Sequence, residues 1–134
     1  MTKIAVIEGI GEVFAEKLAG AGVKTTEALL ERGATPKGRR ELAEKSGLGD
    51  GQILKWVNQA DLFRIKGIGE EYSNLLEASG VDTVVELANR NAENLVKKLA
   101  EVNARKELVR RLPTLSMVSV WIEMAKCLPR KINY

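Results

Sequence analysis

The hexapeptide Ile7-Glu8-Gly9-Ile10-Gly11-Glu12 returns as Ile65-Lys66-Gly67-Ile68-Gly69-Glu70, and the likeness continues downstream of both copies. Phe14, Leu18, Gly22-Val23, Thr25 and Leu29 are answered by Tyr72, Leu76, Gly80-Val81, Thr83 and Leu87, all at an offset of 58 residues. Trp56 with Ala60 is echoed by Trp121 with Ala125, where the offset is 65, so the second copy carries seven extra residues. A repeat this long constrains architecture before anything else, because one supersecondary unit must be built twice. The expected division is 1–63 and 64–134, with the insertion read as a basic helix near 104–112. So small a unit buries its apolar faces best against its twin, which predicts one globular unit with pseudo-two-fold symmetry.

Two glycines around one aliphatic residue make a tight turn in which the backbone can take φ > 0. The isoleucine between them points inward as an anchor. Phe14, Ala15 and Leu18 then fall on one helical face, as do Tyr72, Leu75 and Leu76. Each turn therefore opens an amphipathic helix, whose first amides have no intrahelical partner and favour an anion.

No stretch alternates with period 2 for long enough to argue a strand, so the chain reads as all-α. Thr25 or Thr26, Thr35 before Pro36, Asp50 and Asn91 are expected helix caps, and Thr83 with Glu86 a capping box. The helix after Asn91 is expected to end near Asn103. A last helix from Ser116 turns Val120, Trp121, Met124 and Ala125 inward, and Arg130 to Tyr134 reads as a frayed tail. Trp56 and Trp121 occupy matching apolar positions and read as core plugs rather than base-stacking platforms. Cys127 reads as a small buried hydrophobe.

Ile-x-Gly-Ile-Gly, followed by an aromatic and a leucine on the next helix, resembles the helix-hairpin-helix motif, and Gly22-Val23-x-Thr25 and Gly80-Val81-x-Thr83 extend the likeness. The chain also resembles a bacterial group of tandem helix-hairpin-helix proteins catalogued as a domain of unknown function. The resemblance covers nearly the whole chain and implies an all-α, SAM-like fold of two tandem repeats. It also implies hairpin amides that grip a DNA or RNA phosphate without reading bases, often with a bound monovalent cation.

The match has a departure. Nucleic-acid-binding members commonly carry Lys or Arg just past the second glycine, where this chain has Glu12-Val13 and Glu70-Glu71, with Glu8 before the first turn. A carboxylate in the first helical turn contributes about 0.3–1 kcal/mol through the dipole. The same carboxylate roughly 4 Å from a phosphate costs on the order of 1–4 kcal/mol. Gly9, Ile10 and Gly11 therefore form the weaker hairpin. The second, Gly67, Ile68 and Gly69, is preceded by Arg64 and Lys66 and is the better phosphate site.

Charge agrees with that asymmetry. The net charge is +3; residues 1–63 hold nine basic and nine acidic groups, and residues 64–134 twelve and nine. Lys97, Lys98, Arg105, Lys106, Arg110 and Arg111 form a basic stretch suited to salt-dependent, sequence-independent binding, or else a solvated helix face. Lys37, Arg39 and Arg40 sit in the first turn of a helix, where cations oppose the dipole, which points to a partner or to an exposed turn.

The chain has no histidine and one cysteine, which excludes an intramolecular disulfide, the usual Cys/His zinc site and a histidine base. No catalytic carboxylate pair stands out, so the expectation is no enzyme, no cofactor and no metal. No apolar run approaches a membrane span and no signal peptide is legible, so a cytoplasmic protein without membrane or small-molecule partners is expected. The expected function is a non-catalytic module binding nucleic acid, DNA before RNA, through the second hairpin and its basic stretch. A protein-interaction adaptor on the same scaffold is the alternative.

Overall fold

Most of the helices begin at a threonine or asparagine that closes its own first turn. In a computed structural model, which describes residues 3–7 and 9–134, Thr25, Thr35, Thr83, Asn91 and Thr114 each accept a backbone N–H three residues ahead, at 3.0–3.2 Å. These caps open α2 (Thr26–Arg32), α3 (Pro36–Ser46), α6 (Val84–Ala88), α7 (Ala92–Lys106) and α8 (Leu115–Cys127). The two remaining long repeats of the pattern, α1 (Glu12–Gly20) and α5 (Glu70–Ala78), follow the Gly-Ile-Gly turns, and α4 spans Asp50–Leu62. The described residues are helical, with no strand beyond an isolated bridge between Lys3 and Thr25. None of these helices is long and apolar enough to cross a membrane.

The chain divides into two compact units. The first comprises Met1–Asp61 together with Lys131–Tyr134, and the second Leu62–Arg130. In the first, a 3₁₀ turn at Ile4–Val6 and α1 pack together, and α1 and α2 pack on α3. Leu18, Leu29, Leu42, Ile53, Trp56 and Val57 are buried there. In the second, α6 and α7 pack on α8, and α5 packs on α7. Leu75, Leu76, Leu87, Leu99, Val118 and Trp121 lie in its core. Burying a Leu or Trp side chain of this kind contributes about 1.5–3 kcal/mol.

Several expectations change. The basic helix near 104–112 does not form. Instead α7 runs on to Lys106, Glu107 turns left-handed at φ 48°, and the chain continues without helix to Thr114. The cap of α8 is Thr114, two residues before Ser116. Asp50 lies inside α4 rather than before it, and the Gly49 carbonyl accepts the Ile53 amide. Thr83 supplies its half of a capping box, but the Glu86 carboxylate is taken by Arg90 at 2.8 Å. Cys127 is exposed, and Val120 is 53% exposed rather than inward. Both tryptophans are core residues, 2% and 3% exposed.

The tail is also packed rather than frayed. Ile132 is buried, and the Asn133 amide donates to the Ala34 carbonyl at 2.8 Å. The Tyr134 hydroxyl lies 3.3 Å from Asn58 Oδ1. Of the cations at the start of α3, Lys37 and Arg40 are exposed, whereas Arg39 is buried: its guanidinium donates to the carbonyls of Gly33 and Asn133, both at 2.8 Å, with the Tyr134 ring 5.9 Å away. Both expectations are met in part: Arg39 is held by the chain's own tail, and Lys37 and Arg40 stand on an exposed turn.

Candidate nucleic-acid interface

Each Gly-Ile-Gly turn is made by the same local bonds. In the first, Ile7 N–H donates to Ile4 O and Ile10 N–H to Ile7 O, at 3.2 and 3.1 Å. In the second, Ile65 N–H donates to Leu62 O and Ile68 N–H to Ile65 O, both at 3.1 Å. The central isoleucines are buried, as their anchoring role requires. Gly9 and Gly67 adopt φ of 92° and 98°, the left-handed region open to glycine. A Cβ at Gly9 would stand 3.4 Å from Trp56 Nε1, and one at Gly67 would stand 3.2 Å from Trp121 Nε1. The tryptophans in turn stack obliquely on Phe14 and Tyr72, with ring centroids 5.4 and 5.2 Å apart. Turn, indole and first helical aromatic therefore form one packed group in each unit.

Gly11 and Gly69 are the N-caps of α1 and α5, and neither start has a side-chain cap. They contrast with the five helices that a Thr or Asn closes. Glu12 stands exposed in the first turn of α1, and Glu70 and Glu71 in that of α5. Glu8 lies outside the described residues.

The sequence-expected cations distribute unevenly. Lys66 is exposed beside Gly67. Arg64 is half-buried, and its Nη2 donates to the Pro129 carbonyl at 2.8 Å, so its guanidinium is turned to the end of α8. Lys97, Lys98 and Arg105 are exposed and share one face of α7 with Glu101, while Lys106 ends that helix. Arg110 and Arg111 are exposed in the connection after α7. There the Tyr72 hydroxyl, from the first turn of α5, donates to the Arg111 carbonyl at 3.2 Å. The structure thus ties the Arg110-Arg111 segment to the helix that the second turn opens. The cations of α7 join that turn only through the packing of α7 on α5.

Sequence reasoning missed two groups. Arg90 donates to the Gly80 carbonyl at 3.1 Å while pairing with Glu86. Arg32 lies against Gly22 in the first unit, and the shared offset of 58 between Arg32 and Arg90 was a usable signal. Asn103 grips Val109 through both backbone groups, accepting its N–H at 3.0 Å and donating to its carbonyl at 3.2 Å. Arg39 was singled out in the sequence, but nothing local to it points to its partner Asn133.

Among the described residues no group of three or more His, Cys, Asp or Glu side chains is arranged to hold a metal ion. Residues 8–128, which contain both turns, match a family described as a domain of unknown function, DUF4332. The chain belongs to that family. The match to DUF4332 spans both Gly-Ile-Gly turns and the seven-residue insertion, and stops before the tail that Arg39 holds. No solved structure matches the chain.

Proposed function

We propose that this DUF4332 chain is a tandem helix-hairpin-helix module that binds nucleic acid without reading its sequence. It would use the α5 amides beyond the Gly67-Ile68-Gly69 turn, with Lys66 and the exposed cations of α7 as phosphate partners. The observation that carries this reading is the uncapped start of α5: a left-handed glycine and an extended glycine leave it open, beside an exposed lysine. Uncapped amides aligned with a helix dipole favour an anionic oxygen. Glu70 and Glu71 oppose that attraction, so affinity depends on the cations and falls steeply with salt. DNA is the preferred first substrate to try, and no chemistry is assigned to the site.

Fluorescence-anisotropy titration of labelled single-stranded, duplex and branched DNA at low and physiological salt tests this. The expected result is binding that weakens with salt, and that weakens further in Lys66→Glu with a salt slope shallower by about 0.9 for the lost phosphate contact. Absence of binding at low salt, or an unchanged Lys66→Glu affinity, would remove the assignment.

A second reading, a protein-interaction adaptor, is favoured by one feature of the second unit. A groove of about 550 Å³ runs along α8, lined by Arg64, Ser119, Val120, Glu123, Met124, Cys127 and Leu128. An exposed apolar face of this kind suits a protein partner retained in high salt.

A further inference from the structure

The extra length of the second copy goes partly into a longer α7 and partly into the connection that follows it, a loop that is built rather than slack. Between α7 and α8, Val109 and Pro113 are buried, while Arg110, Arg111 and Leu112 between them are exposed. The Asn103 side chain holds Val109 by two hydrogen bonds to its backbone, fixing the entry to this bulge. The Tyr72 hydroxyl holds its middle by the bond to Arg111 O, and Thr114 fixes its exit by capping α8. Both side chains of the arginine pair are thus carried outward on a backbone pinned at several points. The matching position of Tyr72 in the first copy is Phe14, which has no hydroxyl, and the first copy has no such insertion. The extra oxygen and the extra loop occur together.

We infer that this loop is a preformed second phosphate contact beside the Gly67-Ile68-Gly69 turn, with Tyr72 as the positioning residue that couples the two. The inference rests on the nucleic-acid reading above and adds to it where the second contact lies and what orients it. Tyr72 lies in the first turn of the helix whose start forms the first contact, stacks on the Trp121 ring beneath Gly67, and bonds the loop. A strand lying on the α5 amides therefore finds two arginines whose backbone is already ordered. Preorganisation of this kind raises affinity by lowering the entropy lost on binding.

Tyr72→Phe tests the coupling, because it removes one oxygen and leaves the ring on Trp121. Amide hydrogen exchange of the whole chain reads the anchoring, and anisotropy with a fluorescein-labelled duplex of mixed sequence reads the contact. The expected result is exchange several-fold faster at residues 107–114, elsewhere unchanged, with affinity about 3- to 10-fold weaker at low salt. Arg110→Glu/Arg111→Glu should weaken binding more than this, and its effect should be smaller in the Tyr72→Phe background. Unchanged exchange would overturn Tyr72 as the anchor. Faster exchange with unchanged affinity would overturn the loop as a contact, even if Lys66→Glu still weakens binding. If Lys66→Glu leaves affinity unchanged, the functional reading falls and the inference with it. Exchange in Tyr72→Phe would then describe a structural tie alone.

Discussion

Gly67 and Gly69 differ by two positions and by nearly everything that matters to a side chain. At Gly67, φ is 98° and Trp121 Nε1 would stand 3.2 Å from a Cβ; at Gly69, φ is −108° and nothing lies within 4 Å. A non-glycine residue in the left-handed region costs about 1–3 kcal/mol, and the indole adds crowding. Gly67→Ala should therefore destabilise the second unit by about 1–3 kcal/mol, and Gly69→Ala by under about 0.5 kcal/mol. Urea unfolding followed by tryptophan fluorescence checks this, and equal effects at the two glycines would refute it. The need for glycine at 67 was legible in the Gly-Ile-Gly spelling. The tryptophan beneath it was not, since it comes from a helix far along the chain and only packing brings it there.

At the scale of elements, four helix starts were legible, Asp50 and Ser116 missed theirs, and the end of α7 was not read. Thr25, Thr35, Thr83 and Asn91 close their own first turns, a bond that needs only a neighbouring amide. The end of α7 is set otherwise. Its C-cap, Glu107, is left-handed at φ 48° and ψ 49°, and Asn103 draws Val109 down behind it. The sequence placed that end near Asn103 with a separate basic helix after it, whereas α7 runs on to Lys106 and no second helix follows before Thr114. Glycine is the residue suited to that cap. Glu107→Gly should therefore stabilise the chain by about 0.5–1 kcal/mol, read as a higher urea midpoint at constant slope. A lower midpoint would mean that the Glu107 side chain contributes more than its backbone strain costs.

The whole molecule shows what the repeat conceals. The last four residues belong with the first compact unit, although the rest of that unit ends at Asp61. Arg39 holds them through Asn133, and Ala34 accepts from the same residue. Hydrogen bonds to a charged donor contribute about 1.5–3 kcal/mol each. Removing residues 131–134, or substituting Arg39→Met, should lower the stability of the first unit by about 1–3 kcal/mol. Hydrogen exchange should rise around 33–39, with the core of the second unit, around Leu75 and Leu99, unaffected. Equal loosening of both cores would show that the tail acts on the chain as a whole.

The helical class, the two Gly-Ile-Gly turns with their buried isoleucines, and the core roles of Trp56 and Trp121 could be read from the order of residues. Each of these depends on short-range geometry or on apolar periodicity, which one stretch of chain carries within itself. Tertiary structure alone decided that Arg64 turns to Pro129, that Arg39 holds Asn133, and that Tyr72 reaches Arg111. Those bonds join residues 65, 94 and 39 positions apart, and a donor's partner across such distances is chosen by how helices pack.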